Sequence, residues 1–307
     1  MKRNVLAIGI LALSFFGCGE KANSGDQKDQ LSEIELLNDN KQNTAISDSL
    51  IQTLNSIPSP IETAFQIKEN GVDYNGNYLN SPNNYDQYET SSVLALNLGI
   101  YSADLAYCNI YESPDATSFL GAVYEVAKPL GLESHFDVDA MIDLMKSENS
   151  NLDSMLQVTT EKFEEINKQL QEDEKSHFSV LMLAGGWLEG LHLLTSVYQQ
   201  NPSEAVRERI GEQKIVLSQL VSLVSFYKEK DATINKVFSN FAELGAIYDD
   251  IKIERSENDT VEIIMDAELG IPIAVPQSTS TIVITDEHIN KIIALVEETR
   301  NFITTQN

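Results

Sequence analysis

Two Glu-x-x-His pairs stand out in a chain with only four histidines: Glu174-Lys-Ser-His177 and Glu189-Gly-Leu-His192. Residues three apart share a helix face, and a carboxylate and an imidazole so placed are the ligand pattern of carboxylate-bridged di-metal bundles. Read on one continuous helix, however, the two copies lie fifteen residues apart, about 22 Å, too far to share a metal. No Pro or Gly near Lys175 supplies a break, and such sites draw ligands from four different helices. No metal site is therefore expected, and Glu174 and His177 read as surface or capping residues.

Glu189 differs because it interrupts an apolar run. At about 100° per residue, Gly185, Glu189, His192 and Ser196 fall on one side of their helix. On a second helix, Gln87–Tyr111, the residues Asn97, Tyr101, Asp104, Cys108 and Tyr111 form a similar stripe beside Leu94, Leu98 and Leu105. Buried charge is costly unless paired, so Asp104 and Glu189 each need donors or a cleft. The expectation is that the stripes face one another, with Asn97, Tyr101 and His192 donating to the two carboxylates. Such a cluster reads in two ways. One is a structural polar network that sets helix register. The other is a small-ligand or cation pocket in which paired carboxylates do acid–base work. Nothing marks a nucleophile, so no catalytic residue is assigned. The sequence holds no phosphate-cradling glycine loop, no zinc-type cysteine pairing and no Gly-x-Ser-x-Gly elbow, and no cofactor is expected. Cys108 reads as a small buried apolar residue.

The elements that must position these groups are mostly helices. His177–Tyr198 is a nearly uncharged run carrying the only tryptophan, Trp187, and a helix apolar all round is a buried one. Gly185, Gly186 and Gly190 weaken it by about 1 kcal/mol each relative to Ala, which makes sense where other backbones come close. Further helices are read over Ile46–Ser56, Ile61–Asn70, Asp115–Leu130, Phe136–Ser147, Leu152–Glu172, Ser203–Lys230, Asp231–Asp250 and Asp286–Thr304, the last capped by Thr285. Gly71 ends the second of these as a left-handed cap. The Asn/Tyr-rich loop from Gly71 to Tyr88 carries Tyr74, Tyr78, Tyr85 and Tyr88, and is expected to be ordered upon the helices. β-Branched runs at 251–254, 260–264 and 279–284, with Gly270, Pro272 and Pro276 between them, predict a small β-hairpin or flap over 251–284. The fold class is thus all-α, a multi-helix antiparallel array or bundle in one domain over 46–307, with a hairpin inserted before the last helix.

A formal charge of −26 excludes nucleic acid and repels anionic headgroups. Residues 18–45 are too polar to bury a core and read as a flexible tether, reaching about 30 Å on average. At the N-terminus, Lys2 and Arg3 precede an apolar run, Val5–Phe16, too short to span a bilayer, and then Gly17-Cys18. Phe15-Phe16-Gly17-Cys18 resembles the lipobox of bacterial lipoproteins, with Phe15 where that family usually has Leu. The resemblance implies a signal peptide over 1–17 and a lipidated Cys18 as the first mature residue. Gly19 is similar to outer-membrane-sorted members. Phrases such as Leu98-Gly-Ile-Tyr-Ser-Ala-Asp-Leu-Ala-Tyr107 and Gly185-Gly-Trp-Leu-Glu-Gly190 resemble helical envelope lipoproteins of Bacteroidota. What this implies is a lipid-anchored outer-membrane protein, periplasmic or surface-facing, with the bilayer and an envelope protein as partners. With Cys18 lipidated, Cys108 has no disulfide partner. The expected role is binding or scaffolding rather than catalysis, with the loop Gly71–Tyr88 and the acidic helix faces as contact surface. The competing class is a ligand- or metal-dependent protein, or an enzyme, working through Asp104, Glu189 and His192.

Overall fold

Two helices meet so closely that neither tolerates a side chain at the crossing. A Cβ at Gly185 would lie 2.0 Å from the carbonyl oxygen of Leu96, and one at Gly99 would lie 2.0 Å from that of Met182. The structure, a computed structural model, describes residues 59–136, 142, 152–255, 260–265, 272–277 and 280–305. All belong to one compact unit, Ala45–Asn307. The expected signal peptide, the whole of the expected tether and the helix read over Ile46–Ser56 lie outside the described residues, as does all but Phe136 and Ile142 of the one read over Phe136–Ser147.

The described helices are α1 (Pro60–Glu69), α2 (Ser91–Ile110), α3 (Ala116–Ala127), α4 (Leu152–Glu172), α5 (Ser176–Gln200), α6 (Glu204–Ser225), α7 (Ala232–Asp249) and α8 (Asp286–Thr304). Between α7 and α8 run β1 (Lys252–Arg255), β2 (Thr260–Met265), β3 (Pro272–Gln277) and β4 (Ser280–Val283). The fold is all-α with a small antiparallel β element before the last helix. Helix α5 is the hub, packing against α1, α2, α4, α6 and α8. Both α2 and α5 are long and apolar enough to cross a membrane by composition, yet 83% and 89% of their most apolar windows is buried by the other elements. They are the core pair of the unit.

Local chemistry explains the helix starts. Ser59 and Glu62 form a reciprocal capping box on α1, each side chain accepting from the other residue's backbone N–H. Thr90, Ser203, Asp231 and Thr285 accept from the free backbone N–H groups of α2, α6, α7 and α8. The Thr90 cap places the start of α2 at Ser91, after a 3-10 turn over Pro82–Gln87, so Gln87 lies outside the helix. Helix α6 stops at Ser225, short of the expected Lys230, and the chain turns through Tyr227, which is nevertheless buried.

The turn between α4 and α5 corrects one expectation. Glu174 takes φ +58 with no glycine to ease it, and the Lys175 N–H closes the end of α4 by donating to the Leu170 carbonyl at 2.6 Å. Glu174 and His177 therefore do not share a helix face. His177 packs instead against the rings of Phe178 and Tyr227.

In the β element, β1 pairs with β4 and β2 with β3, both antiparallel, the second ladder nested within the first. Pro272 and Pro276, read from sequence as punctuation between strands, lie within β3. A two-stranded ladder makes this tolerable, because each strand has a free edge where the missing N–H goes unused. Strand β4 rests on α6, where a Cβ at Gly211 would meet Ile282 Cγ2 at 2.5 Å.

Candidate functional site

The site forms where α2, α5, α8 and the loop after α1 converge. The glycine crossing brings α2 and α5 together, and roughly one turn further along each helix stand Asp104 and Glu189, both completely buried. The two carboxyls lie close enough for the charge on each to act on the other.

Glu189 is held by Arg300, from the last turns of α8. Nε donates to Oε2 at 2.6 Å and an Nη to Oε1 at 2.8 Å, a bidentate grip that fixes the carboxylate as the charged partner. Arg300 also donates to the carbonyl of Tyr78 at 3.1 Å. Asp104 accepts the backbone N–H of Asn80 at 3.1 Å on Oδ2, and its Oδ1 receives no donor. Two neighbouring buried carboxyls disfavour each other's charge. Burial raises the Asp104 pKa well above the usual carboxylate range, and the Glu189 charge raises it further. Glu189 is desolvated just as completely, but the Arg300 guanidinium outweighs that and holds it below the usual value. Of the two, Asp104 is therefore the one that takes up a proton more readily. With Asp104 protonated, the cluster is one carboxylate, one guanidinium and one neutral acid, with no net charge to bury.

His192 completes the ring of contacts. Its Nε2 lies 3.0 Å from the Tyr78 carbonyl, which only accepts, so Nε2 carries the hydrogen. Nδ1 is buried with no partner, and burial keeps the ring pKa below the ordinary value despite neighbouring Glu189. The imidazole is neutral.

The remaining expected residues are present but bonded elsewhere. Asn97 donates to the carbonyls of Val93 at 2.9 Å and Ile303 at 3.1 Å, tying α2 to the end of α8. Tyr101 donates to the Ser81 carbonyl at 2.9 Å and touches the Tyr88 hydroxyl at 3.3 Å. None of Asn97, Tyr101 and His192 donates to either carboxylate. They serve the loop and α8 instead, because the loop's carbonyls lie beneath the helices and need donors.

Arg300 is the residue that sequence reasoning missed, and a signal for it existed. It lies at helical spacing from Ile293, Val296 and Ile303, all buried, so an arginine occupies the apolar stripe of α8. Asn80 and Tyr78 were missed as ligands because both act through main-chain groups, which carry no residue signature.

The loop is ordered upon the helices, and its tyrosines are largely spent on that order. Tyr74 stacks on Tyr107 with ring centroids 5.4 Å apart and donates to Asp115 at 2.8 Å. Tyr111 donates to the Val72 carbonyl, and Asn80 donates to the Tyr88 hydroxyl. Tyr78 and Tyr88 are buried, leaving Tyr85 as the exposed ring, so the loop offers much less aromatic contact surface than expected.

Chemically the cluster is closed. Neither carboxyl has any exposed surface, so a substrate could reach them only by separating the helices. A cavity of about 10 Å³ beside Trp187, Gln213 and Thr63 has room for about one water. Cys108 is buried, with Sγ 3.5 Å from the Tyr74 hydroxyl, and burial pushes its thiol up to about 12, away from thiolate reactivity. Among the described residues no three His, Cys, Asp or Glu side chains converge as metal ligands. Comparison with protein-family models, curated proteins and solved structures finds no match to this chain.

Proposed function

We propose that this chain is a lipid-anchored envelope lipoprotein, attached through Cys18, whose helical body binds or scaffolds another envelope component. The observation that carries the non-catalytic half of this reading is the saturation of Glu189 by Arg300, with both carboxyls completely buried. A general acid or base must reach the proton that it moves, and these groups reach only one another. Their bonds join α2, α5, α8 and the loop, which suits a rigid body that presents surfaces.

The anchoring half rests on the sequence around Cys18 and on the charge. A chain at −26 gains nothing from anionic headgroups, so acyl chains would have to hold it at a bilayer. The outer membrane is the favoured address, from Gly19. The test is metabolic labelling with palmitate, set beside Cys18→Ser. Label that depends on Cys18, together with release of the variant from the membrane fraction, supports the anchor. Absence of label, or unchanged fractionation, removes it. Stoichiometric metal in the purified protein would instead favour the ligand- or metal-dependent class.

A further inference from the structure

Among the described residues the β arm between α7 and α8 has one edge closed to further pairing and one open, and its prolines show which is which. In an antiparallel ladder each residue turns its N–H and C=O to the same side, and successive residues alternate sides. The register pairs Val261 with Pro276, Ile263 with Ala274 and Met265 with Pro272, alternating with Thr260–Gln277, Glu262–Val275 and Ile264–Ile273. Proline has no N–H to give, so the pairs that exchange both hydrogen bonds are the second set. Pro272, Ala274 and Pro276 therefore turn their main-chain groups outward from β3, and Val261, Ile263 and Met265 turn theirs outward from β2.

The two edges are thus unequal. The outer edge of β3 offers the N–H of Ala274 between two prolines, a blunted edge. The outer edge of β2 offers N–H and C=O groups from three residues, with neither Pro nor Lys to protect it. Among the described residues no helix packs closely against β2 or β3, and a lone two-stranded ladder is marginal in water.

We propose that a second copy of this chain occupies the open edge, with β2 pairing antiparallel to β2 of the partner about a twofold axis at Ile263. The strand is self-complementary in that register. Ile263 meets the partner's Ile263, Val261 meets the partner's Met265, and Glu262 stands opposite the partner's Ile264, so no like charges face each other directly. The product is a four-stranded sheet in the order β3-β2-β2-β3, whose outer edges are both proline-blunted. Assembly stops at two copies instead of growing into a fibre. In the sequence from 252 to 268 six acidic residues stand against Lys252 and Arg255, so the copies repel at low salt and associate better as salt screens them.

Sedimentation velocity on the purified full chain tests this. The expected result is a monomer–dimer equilibrium that moves toward dimer as salt rises. Ile263→Pro removes a donor from the open edge and spares the β2–β3 bonds; it should weaken association by about tenfold or more, on the scale of losing one hydrogen bond per copy. Ala274→Pro, the matching change on the blunted edge, should leave association unchanged. Under oxidation Ile263→Cys should link to its counterpart across the axis, whereas Val275→Cys should not. A chain that stays monomeric at high salt overturns the proposal, as does a dimer indifferent to Ile263→Pro. If Ile263→Pro disturbs the arm itself, the cysteine pair decides: cross-linking at 275 as readily as at 263 overturns it.

Discussion

Two isosteric substitutions in the buried cluster should behave oppositely. Glu189→Gln removes the fully buried carboxylate that Arg300 grips with two hydrogen bonds, and breaking such a pair costs about 3–5 kcal/mol. Asp104→Asn makes a much smaller change. The amide oxygen can accept from Asn80 N–H as Oδ2 does, and the neutral amide carries no charge to oppose that of the neighbouring Glu189. Its cost should be within about 1 kcal/mol, and no charge is orphaned. At about 2–4 °C per kcal/mol for a body of this size, Glu189→Gln should lower Tm by about 10 °C and Asp104→Asn by less than about 4 °C. Thermal unfolding followed by circular dichroism at neutral pH reads both. Equal losses would place the proton on Glu189 or leave both groups ionised, and the electrostatic account of the cluster would fail.

Further expectations follow from the same contacts. Asp104 has a raised folded pKa, so its contribution is complete below its unfolded value of about 4 and declines as pH rises toward the folded value. Asp104→Asn should therefore flatten the loss of stability above about pH 4, seen in urea midpoints across pH. The histidines act in the other sense: burial lowers His192 and brings His177 to about 4, so the stability they contribute above about pH 6.5 is lost as pH falls through the folded values. Replacing both with Gln should make the midpoint less sensitive to pH between about 6.5 and 4; an unchanged slope would contradict their buried, neutral state. Gly185→Ala forces a methyl group within 2.0 Å of the Leu96 carbonyl and should destabilise by about 2 kcal/mol or more, even after the helix-propensity gain of about 1. Gly121→Ala, with nothing within 4 Å of its Cβ, should instead stabilise α3 by about 0.5–1 kcal/mol, and a matching loss at both sites in denaturant melts would refute the close-approach argument.

The amino-acid sequence by itself determined the helices, because three-four apolar spacing and cap residues are local signals, read within a turn or two. Thr285 opening α8 at Asp286, and the apolar run that became α5, needed no knowledge of the rest of the chain. It also marked Asp104 and Glu189 as groups requiring company, since a charge inside an apolar helix has a cost wherever that helix goes. Only the tertiary structure decided who that company is. Arg300 lies 111 residues from Glu189, and the donor to Asp104 is a backbone N–H that belongs to no residue type. Gly99 had no mark of its own until α5 was placed against it at Met182. Periodicity says which face is buried; which neighbour buries it depends on how helices cross and at what depth, and that is settled by backbones meeting at Gly99 and Gly185.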